Sequence, residues 1–457
     1  MKLSRRQFLA GSAAASLLPV AGHATSAAIR LEPAPSRVQL APPGYSMTDV
    51  WSYNGTIPGQ TLRFKQGDRL RAQLVNGLDE ATTIHWHGLR LPNNMDGVPG
   101  FSQPAVQPGE TFDYEFDLPD AGTYWYHPHA GALEQVARGL SGPLIIEETT
   151  PPDVDSEHVL VLDDWRMTED AQIHESFESG MDLSHAGRLG NYVTVNGSDV
   201  LEVPTRAGER MRLRLINTAT ARIFSLEMQG IEGWVVALDG MPLDKPEPAS
   251  TISLATAQRV DLIVDVTAAP GEEAYLVSQE RGEGYALTTF KVASGSVQAR
   301  REAPAPLQPN VLPEIQLKDA TIATMLMEGG AMRGMDGAVY KGEQMDMRAL
   351  MQEGQFWAFN GVAGMPDDPL VSAALGETVR VALGNDTRFD HAIHLHGHHF
   401  RDIRADGTLG PLRDTILVPP GQIREIAFVA DNPGKWMFHC HMLSHQISGM
   451  MTWIDVA

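Results

Sequence analysis

In the stretch FHCHMLSHQISGM, Phe438 to Met450, a cysteine sits between two histidines, with another histidine and a methionine close behind. Cys440 is the only cysteine of the chain, so it has no internal disulfide partner, and a thiol among imidazoles is suited to hold a metal. His-x-His pairs occur at His85/His87, His127/His129, His394/His396 and His439/His441. On a β-strand, residues two apart point to the same face. Each pair therefore offers two imidazoles side by side, and Cys440 points away from His439 and His441. Imidazole suits copper, zinc, nickel and iron, whereas a thiolate with two imidazoles and a weak thioether selects copper. Cys440, His445 and Met450 supply three members of that set, and His391, off the face used by His394 and His396, is the natural fourth. A copper on one side of the strand would be linked through Cys440 to a histidine-rich site on the other, a short path for an electron.

These side chains need a scaffold, and the chain repeats one three times. Segments starting at Trp51, Tyr192 and Phe356 each carry an Asn-Gly turn (Asn54, Asn196, Asn360) and a Gly-acid turn (Gly67, Gly208, Gly376). An alternating strand follows, RLRAQLVN, RMRLRLIN or TVRVALGN, ending in Asn76, Asn217 or Asn385. Period-two alternation between turn signals predicts half-buried strands and, at this density, Greek-key sandwiches. GTYWYHPH from Gly122 also matches GKWMFHCH from Gly434, while the middle copy has GEEAYLVS there. Where the outer copies have paired histidines, the middle one has Glu227 and Gln229. Ligands kept in the outer copies and lost together in the middle one imply a site shared between units one and three, with unit two as a spacer.

The motifs HWHG, HPH, HAIHLHG and HCHMLSHQISGM closely resemble those of the three-domain multicopper oxidases, a family that includes laccases and bacterial cuprous oxidases. The resemblance covers essentially the whole mature chain. It implies an all-β fold of three tandem cupredoxin-like Greek-key sandwiches, expected at 29–150, 151–300 (without copper ligands) and 311–457. It also implies about four coppers. Type 1 copper would be held by His391, Cys440, His445 and Met450, and type 2 copper by His85 and His394. The type 3 pair would take His87, His127, His129, His396, His439 and His441. The reaction implied is four one-electron oxidations at type 1 and reduction of O₂ to water at the trinuclear cluster. That reduction consumes protons, and Asp96, in NNMDGVPG, matches the acid that many members keep beside the cluster; its bland alternative is a turn aspartate. Two residues depart from the pattern. Ala392 replaces a usual Pro, which should loosen its loop slightly, and Gln446 stands where many bacterial relatives have Glu and cannot relay protons as a carboxylate does. His398 and His399 read as structural or supporting residues, and His158, His174 and His185 as ordinary surface or core residues.

A formal net charge of -22 argues against nucleic acid as a partner. The N-terminus, MKLSRRQFLAGSAAASLLPVAGHATSAA, has the twin arginines Arg5 and Arg6 before a short Ala-rich run. It reads as a twin-arginine export signal, residues 1–24, handled by the twin-arginine translocase and delivering a periplasmic protein with no membrane span in its mature form. Ala293 to Asn310 has linker composition. Residues 325–351 hold seven of the chain's 20 methionines, and thioether selects Cu(I), so this stretch before the third unit favours Cu(I) as reducing substrate. Adaptable packing methionines at partly helical spacing are the alternative. A laccase-like oxidase of phenols or aromatic amines is the competing enzyme reading, and a non-catalytic copper-binding protein is the reading from another class. Oxygen uptake separates an oxidase from a binder.

Overall fold

The computed structural model describes residues 28–294, 301–332 and 334–457. The export signal and part of the linker lie outside the described residues.

The fold is all-β. In every unit the first strand pairs parallel with the alternating strand read from the sequence: Ile29–Leu31 with Arg69–Val75, Ser156–Trp165 with Arg210–Asn217, and Thr321–Gly329 with Thr378–Asn385. Units two and three are each built on a six-stranded and a five-stranded sheet, unit three adding the two-stranded pair Gly337–Tyr340 and Glu343–Asp346, and unit one is built on smaller sheets of three, four and two strands. The second unit encloses its own core, with Leu160, Leu213 and Leu262 from one sheet against Leu226, Leu276 and Phe290 from the other. Units one and three instead share a continuous core that runs from Leu31 and Trp86 to Trp357 and Trp436. Apolar burial thus joins the two units that carry the histidine pairs.

The repeated asparagines have repeated jobs. Asn54, Asn196 and Asn360 adopt φ of 54°, 53° and 49°, the left-handed conformation that Asn tolerates in a tight turn. Each accepts a main-chain N–H on its side-chain oxygen and donates from its amide to the carbonyl two residues before that N–H (Glu32 and Arg30, Val161 and Val159, Leu326 and Thr324). Asn76, Asn217 and Asn385 tie down neighbouring main chain, donating to the carbonyls of Val106, Leu254 and Val418 respectively, the last two at strand ends. Asn385 also donates to Phe389 O, which fixes the loop leading to His391.

The methionine-rich stretch 325–351 does not precede the third unit as one insert. Its beginning is the first strand of that unit, and strand alternation turns Met325 and Met327 inward, both at 0 % exposure in the shared core. The helical turn Met347–Gln352 carries Met347 and Met351, as their spacing predicts, with Met351 exposed. Met332, on the turn after the strand, is 81 % exposed. The stretch thus serves packing at one end and presents thioethers to solvent at isolated points.

Candidate metal centre

His391 opens the strand His391–Leu395, which pairs antiparallel with Gly434–Cys440 and sets Ile393 opposite Cys440. The helical turn Leu443–Ile447 then returns His445 to the same place. His391 Nδ1 and His445 Nδ1 lie 3.1 Å apart, and Cys440 Sγ is 3.7 and 3.8 Å from them. The tautomers follow from the outer partners. His445 Nε2 must donate to the His185 carbonyl at 2.6 Å, so its Nδ1 carries a lone pair. Thr387 donates its hydroxyl hydrogen to Asn385 Oδ1 at 2.7 Å, which makes His391 Nε2, 2.8 Å from Thr387 Oγ1, the donor there. Two lone pairs therefore face each other beside a thiol. Burial pushes His445 down to about 4 and the Cys440 thiol up to about 12. A cation among these atoms accepts both lone pairs and lowers the thiol. Met450 is also buried, and its carbonyl accepts the Cys440 N–H at 3.1 Å.

Behind Cys440, on the other side of its strand, the remaining histidines converge. Three groupings have ligating atoms within 4.8 Å of one another: His85, His87 and His394; His87, His127 and His441; and His129, His396 and His439. All eight rings are buried. His439 Nδ1 donates to Cys440 O at 2.9 Å and His396 Nδ1 to Asp96 Oδ2 at 2.9 Å, so their Nε2 lone pairs oppose each other at 3.0 Å. His127 Nδ1 donates to Pro128 O at 3.0 Å, and its Nε2 lies 3.4 Å from His441 Nε2. His85 Nε2, His87 Nδ1, His129 Nε2, His394 Nε2 and His441 Nδ1 are buried without a hydrogen-bond partner. Buried polar atoms ordinarily find partners, so this concentration of orphaned and opposed nitrogens fits metal ions and little else. Burial, and after it the neighbouring imidazoles, hold His127, His129, His396 and His441 well below the usual histidine range, in the neutral form that coordinates metal.

Asp96 ends the turn Asn93–Met95 at 1 % exposure. Besides its bond to His396, its Oδ1 lies 3.2 Å from His85 Nδ1, and its carbonyl accepts from the same nitrogen at 2.8 Å. A plain turn aspartate would not be buried between imidazoles of units one and three. Gly97 permits the approach: at φ +85°, a Cβ there would lie 1.9 Å from the Ile84 carbonyl oxygen.

Sequence reasoning missed Asp414 and the residues of the middle unit. The Asp414 carbonyl accepts from His394 Nδ1 at 2.9 Å, and its Oδ1 lies 3.3 Å from His87 Nε2. Arg259, from the middle unit, grips both carboxylate oxygens at 2.9 and 2.5 Å. Burial opposes the charge on Asp414, but the Arg259 guanidinium and the adjacent imidazoles outweigh it and hold the carboxyl well below its usual range. The middle unit is therefore more than a spacer. It also supplies the Thr220 carbonyl that accepts the Leu443 N–H at 3.0 Å, and the His185 carbonyl that orients His445. His185 is thus no ordinary surface residue, and its main chain rather than its ring gives it this role. His158 is half-buried and His174 exposed, and neither joins a ligand grouping among the described residues. His398 and His399 pack behind the ligands, with His398 Nδ1 on His396 O at 3.1 Å and His399 Nε2 3.8 Å from Asp414 Oδ2. Ala392 loosens nothing: it sits inside a strand opposite Leu417, and its carbonyl accepts the His441 N–H at 2.6 Å. Gln446 is buried with Oε1 unpartnered.

Models of multicopper oxidase domains match residues 36–151, 156–296 and 340–457. Multicopper oxidase MmcO of Mycobacterium tuberculosis is 32% identical, over 93% of this chain and 86% of that one. The chain belongs to the multicopper oxidases. Copper resistance protein A of Pseudomonas syringae pv. tomato is 28% identical, over 100% of this chain and 99% of its own. The crystal structure of Lac15 from a marine microbial metagenome superimposes with a TM-score of 0.77 at 39% identity, covering 94% of this chain and 100% of that one. As a multicopper oxidase the protein is an oxidoreductase enzyme of cupredoxin-like fold, and copper is the metal its histidine clusters fit. Next to His391 a cleft of about 250 Å³ opens between units two and three, lined by Arg222, Glu280, Arg388, Phe389, Asp390 and Met442 among others.

Proposed function

We propose that this multicopper oxidase is an exported, periplasmic cuprous oxidase that carries four coppers and serves copper tolerance. His391, Cys440, His445 and Met450 would hold type 1 copper; His85 and His394 type 2; and His87, His127, His129, His396, His439 and His441 the type 3 pair. Bound there, copper supplies one-electron redox chemistry at the first site and four-electron reduction of O₂ at the cluster. The chain's own part is positional. Asp96 fixes the tautomers of His85 and His396, and Asp414, clamped by Arg259, does the same for His87 and His394. The chain through His439 and Cys440, which end the strand Gly434–Cys440, and His441 just after it joins the two sites by consecutive covalent bonds. Asp96 is the acid suited to hold a proton beside the cluster.

The single observation that carries the substrate reading is the burial of His445. Its ring has 0 % exposure, and its outward nitrogen is capped by the His185 carbonyl. A ring-shaped organic donor therefore has no direct contact with that ligand, whereas a small ion needs only a foothold at His185. The relative named copper resistance protein A supports the same reading. The cleft beside Phe389 and Asp390 favours the second reading, oxidation of phenols or aromatic amines. Steady-state O₂ consumption with Cu(I), Fe(II) and a phenol, compared as kcat/KM, decides between them. Cu(I) is expected to lead; a leading phenol would make the enzyme a laccase, and no uptake with any donor would leave a copper binder. The twin arginines, Arg5 and Arg6, support export. Replacing both with lysine should trap the protein in the cytoplasm.

A further inference from the structure

Reduction of O₂ to water consumes protons, and histidine clusters this deeply buried need a way to receive them. Asp96 stands beside His85 and His396, and Gln446, buried with its Oε1 unpartnered, offers no acid. His87 and His394 instead meet Asp414, and behind Asp414 stands His399, its Nε2 3.8 Å from Asp414 Oδ2. Proton-transfer contacts are often long at rest and tighten in use, or are spanned by water. The same imidazole lines a cleft of about 310 Å³ between segment 310–315 and the third unit, together with the exposed Glu314 and with Asp431. A single side chain thus reaches from the cleft to the carboxylate that lies against two of the clustered histidines.

The His399 ring is 4 % exposed, yet neither Nδ1 nor Nε2 has a hydrogen-bond partner among the described residues. Buried polar atoms ordinarily find partners. Its neighbour His398 shows the contrast, with Nδ1 tied to the His396 carbonyl at 3.1 Å, which fixes its tautomer. Nothing fixes that of His399, so its proton can sit on either nitrogen. Such a ring accepts a proton at one nitrogen and releases one from the other. Asp414 and Asp120 favour a positive ring and Arg90 and Arg259 oppose it, but burial outweighs them and pushes His399 down to about 4. The ring therefore rests neutral near pH 7 and retains no proton it receives. Glu314 and Asp431 add negative charge that draws protons into the cleft, although Asp431 is also paired with Arg90 at 2.8 Å. Arg401, the cation of the cleft, is turned to the Gly410 carbonyl at 2.8 Å.

We propose that His399 is a proton relay between this cleft and the edge of the histidine clusters that Asp414 lines. The role rests on O₂ as the acceptor and holds for either class of donor. Each turnover combines O₂ with 4 e⁻ and 4 H⁺ to give 2 H₂O, the electrons coming from the donor and the protons from solvent. For each proton relayed, one N–H bond forms at Nδ1 and one breaks at Nε2, on the side of Asp414. Exchange with water then restores the first tautomer.

His399→Gln keeps a polar side chain but has no ring to relay through. In the copper-loaded enzyme, kcat for O₂ uptake is expected to fall about tenfold or more. The loss should deepen as pH rises and protons grow scarce, and the ratio of rates in H₂O and D₂O should increase. Copper content and anaerobic reduction of the Cys440 site should match wild type. Leu312→Trp narrows the cleft, leaves His399 in place, and should give the same pH-dependent loss. In copper-free protein labelled with ¹⁵N-histidine, the His399 ring, identified by its absence in His399→Gln, should show the averaged nitrogen shifts of two exchanging tautomers, and His398 those of one. A single fixed His399 tautomer, or an equal fall in rate at every pH with copper lost, would overturn the relay. So would wild-type rates and pH profiles in both variants, a result that leaves the oxidase reading intact, whereas no O₂ uptake in wild type removes both.

Discussion

Arg259→Met isolates the contribution of the middle unit to the histidines proposed to hold copper. The guanidinium is at 0 % exposure, binds Asp414 through two nitrogens, and lies 3.9 Å from Asp239. Burial, and then the Asp414 charge, already push Asp239 up to about 6. Removing the cation leaves a buried charge unpaired, which costs about 3–5 kcal/mol. Protonation caps the loss: neutralising a carboxyl of ordinary pKa at pH 7 costs about 4 kcal/mol. The sign of the pH dependence follows. In wild type the folded-state pKa of Asp414 is depressed, so its contribution is present above the ordinary carboxylate range and is lost as pH falls through the folded value. In the variant that pKa is raised, so acid favours the folded form. The gap between the two proteins should therefore be widest near neutrality and narrow towards about pH 5. Urea unfolding of the copper-free proteins at the two pH values measures it. Adding Asp414→Asn should restore more than half of the stability at neutral pH, because the unpaired charge goes with it. A loss below about 1 kcal/mol at neutral pH, or a double variant weaker than the single one, would refute the clamp.

Cys440→Ser should abolish the blue colour of the copper-loaded protein and leave the type 2 electron paramagnetic resonance signal, because only the first site needs the thiolate; a variant that stays blue contradicts the assignment. Asp96→Asn presents an amide where two imidazole N–H groups now find a carboxylate, so copper retention at the cluster or the rate of O₂ reduction should drop about 10–100-fold. Reduction of the Cys440 site, followed by bleaching in anaerobic stopped flow, should keep its normal rate; slowed bleaching would show that Asp96 acts elsewhere. Met325→Leu with Met327→Leu conserves volume in the core and should cost under about 1.5 kcal/mol in urea unfolding, leaving the ratio of Cu(I) to phenol kcat/KM unchanged. A fall in that ratio would mean that the buried end of the methionine stretch takes part in substrate oxidation.

The periodicities that built the strands were plain in the sequence. So was the alternation at His439, Cys440 and His441, because strand geometry leaves one way to distribute three consecutive side chains. The histidine pairs of units one and three declared a common site because both copies kept them while Glu227 and Gln229 replaced them in the middle. What escaped lies in contacts that leave no pattern. Asp414 stands alone in a strand-edge segment and acts partly through its carbonyl, which any residue has. His185 also acts through its carbonyl, so ring spacing could not reveal it. Arg259 is one of several arginines in alternating strands, and only tertiary packing singles it out. The methionine count misled because composition does not distinguish strand positions that face a core from a turn that faces water: Met325 and Met332 differ in surroundings, not in type.

The ion pair from the middle unit also bears on how the molecule comes together. The bond between Asp96 and His396 spans 300 residues of chain, and the 3.4 Å approach of His127 Nε2 to His441 Nε2 spans 314. Closing so long a loop in a free chain costs about 5 kcal/mol in entropy, and contacts this distant make folding slow. A middle unit with its own closed core can fold before either flank arrives, and it then presents Arg259, Thr220 and His185 as a ready surface for the third unit. The distant closure becomes the docking of one folded body on another. By this logic the middle unit, which contributes none of the clustered histidines, sets the pace at which the histidine clusters are assembled.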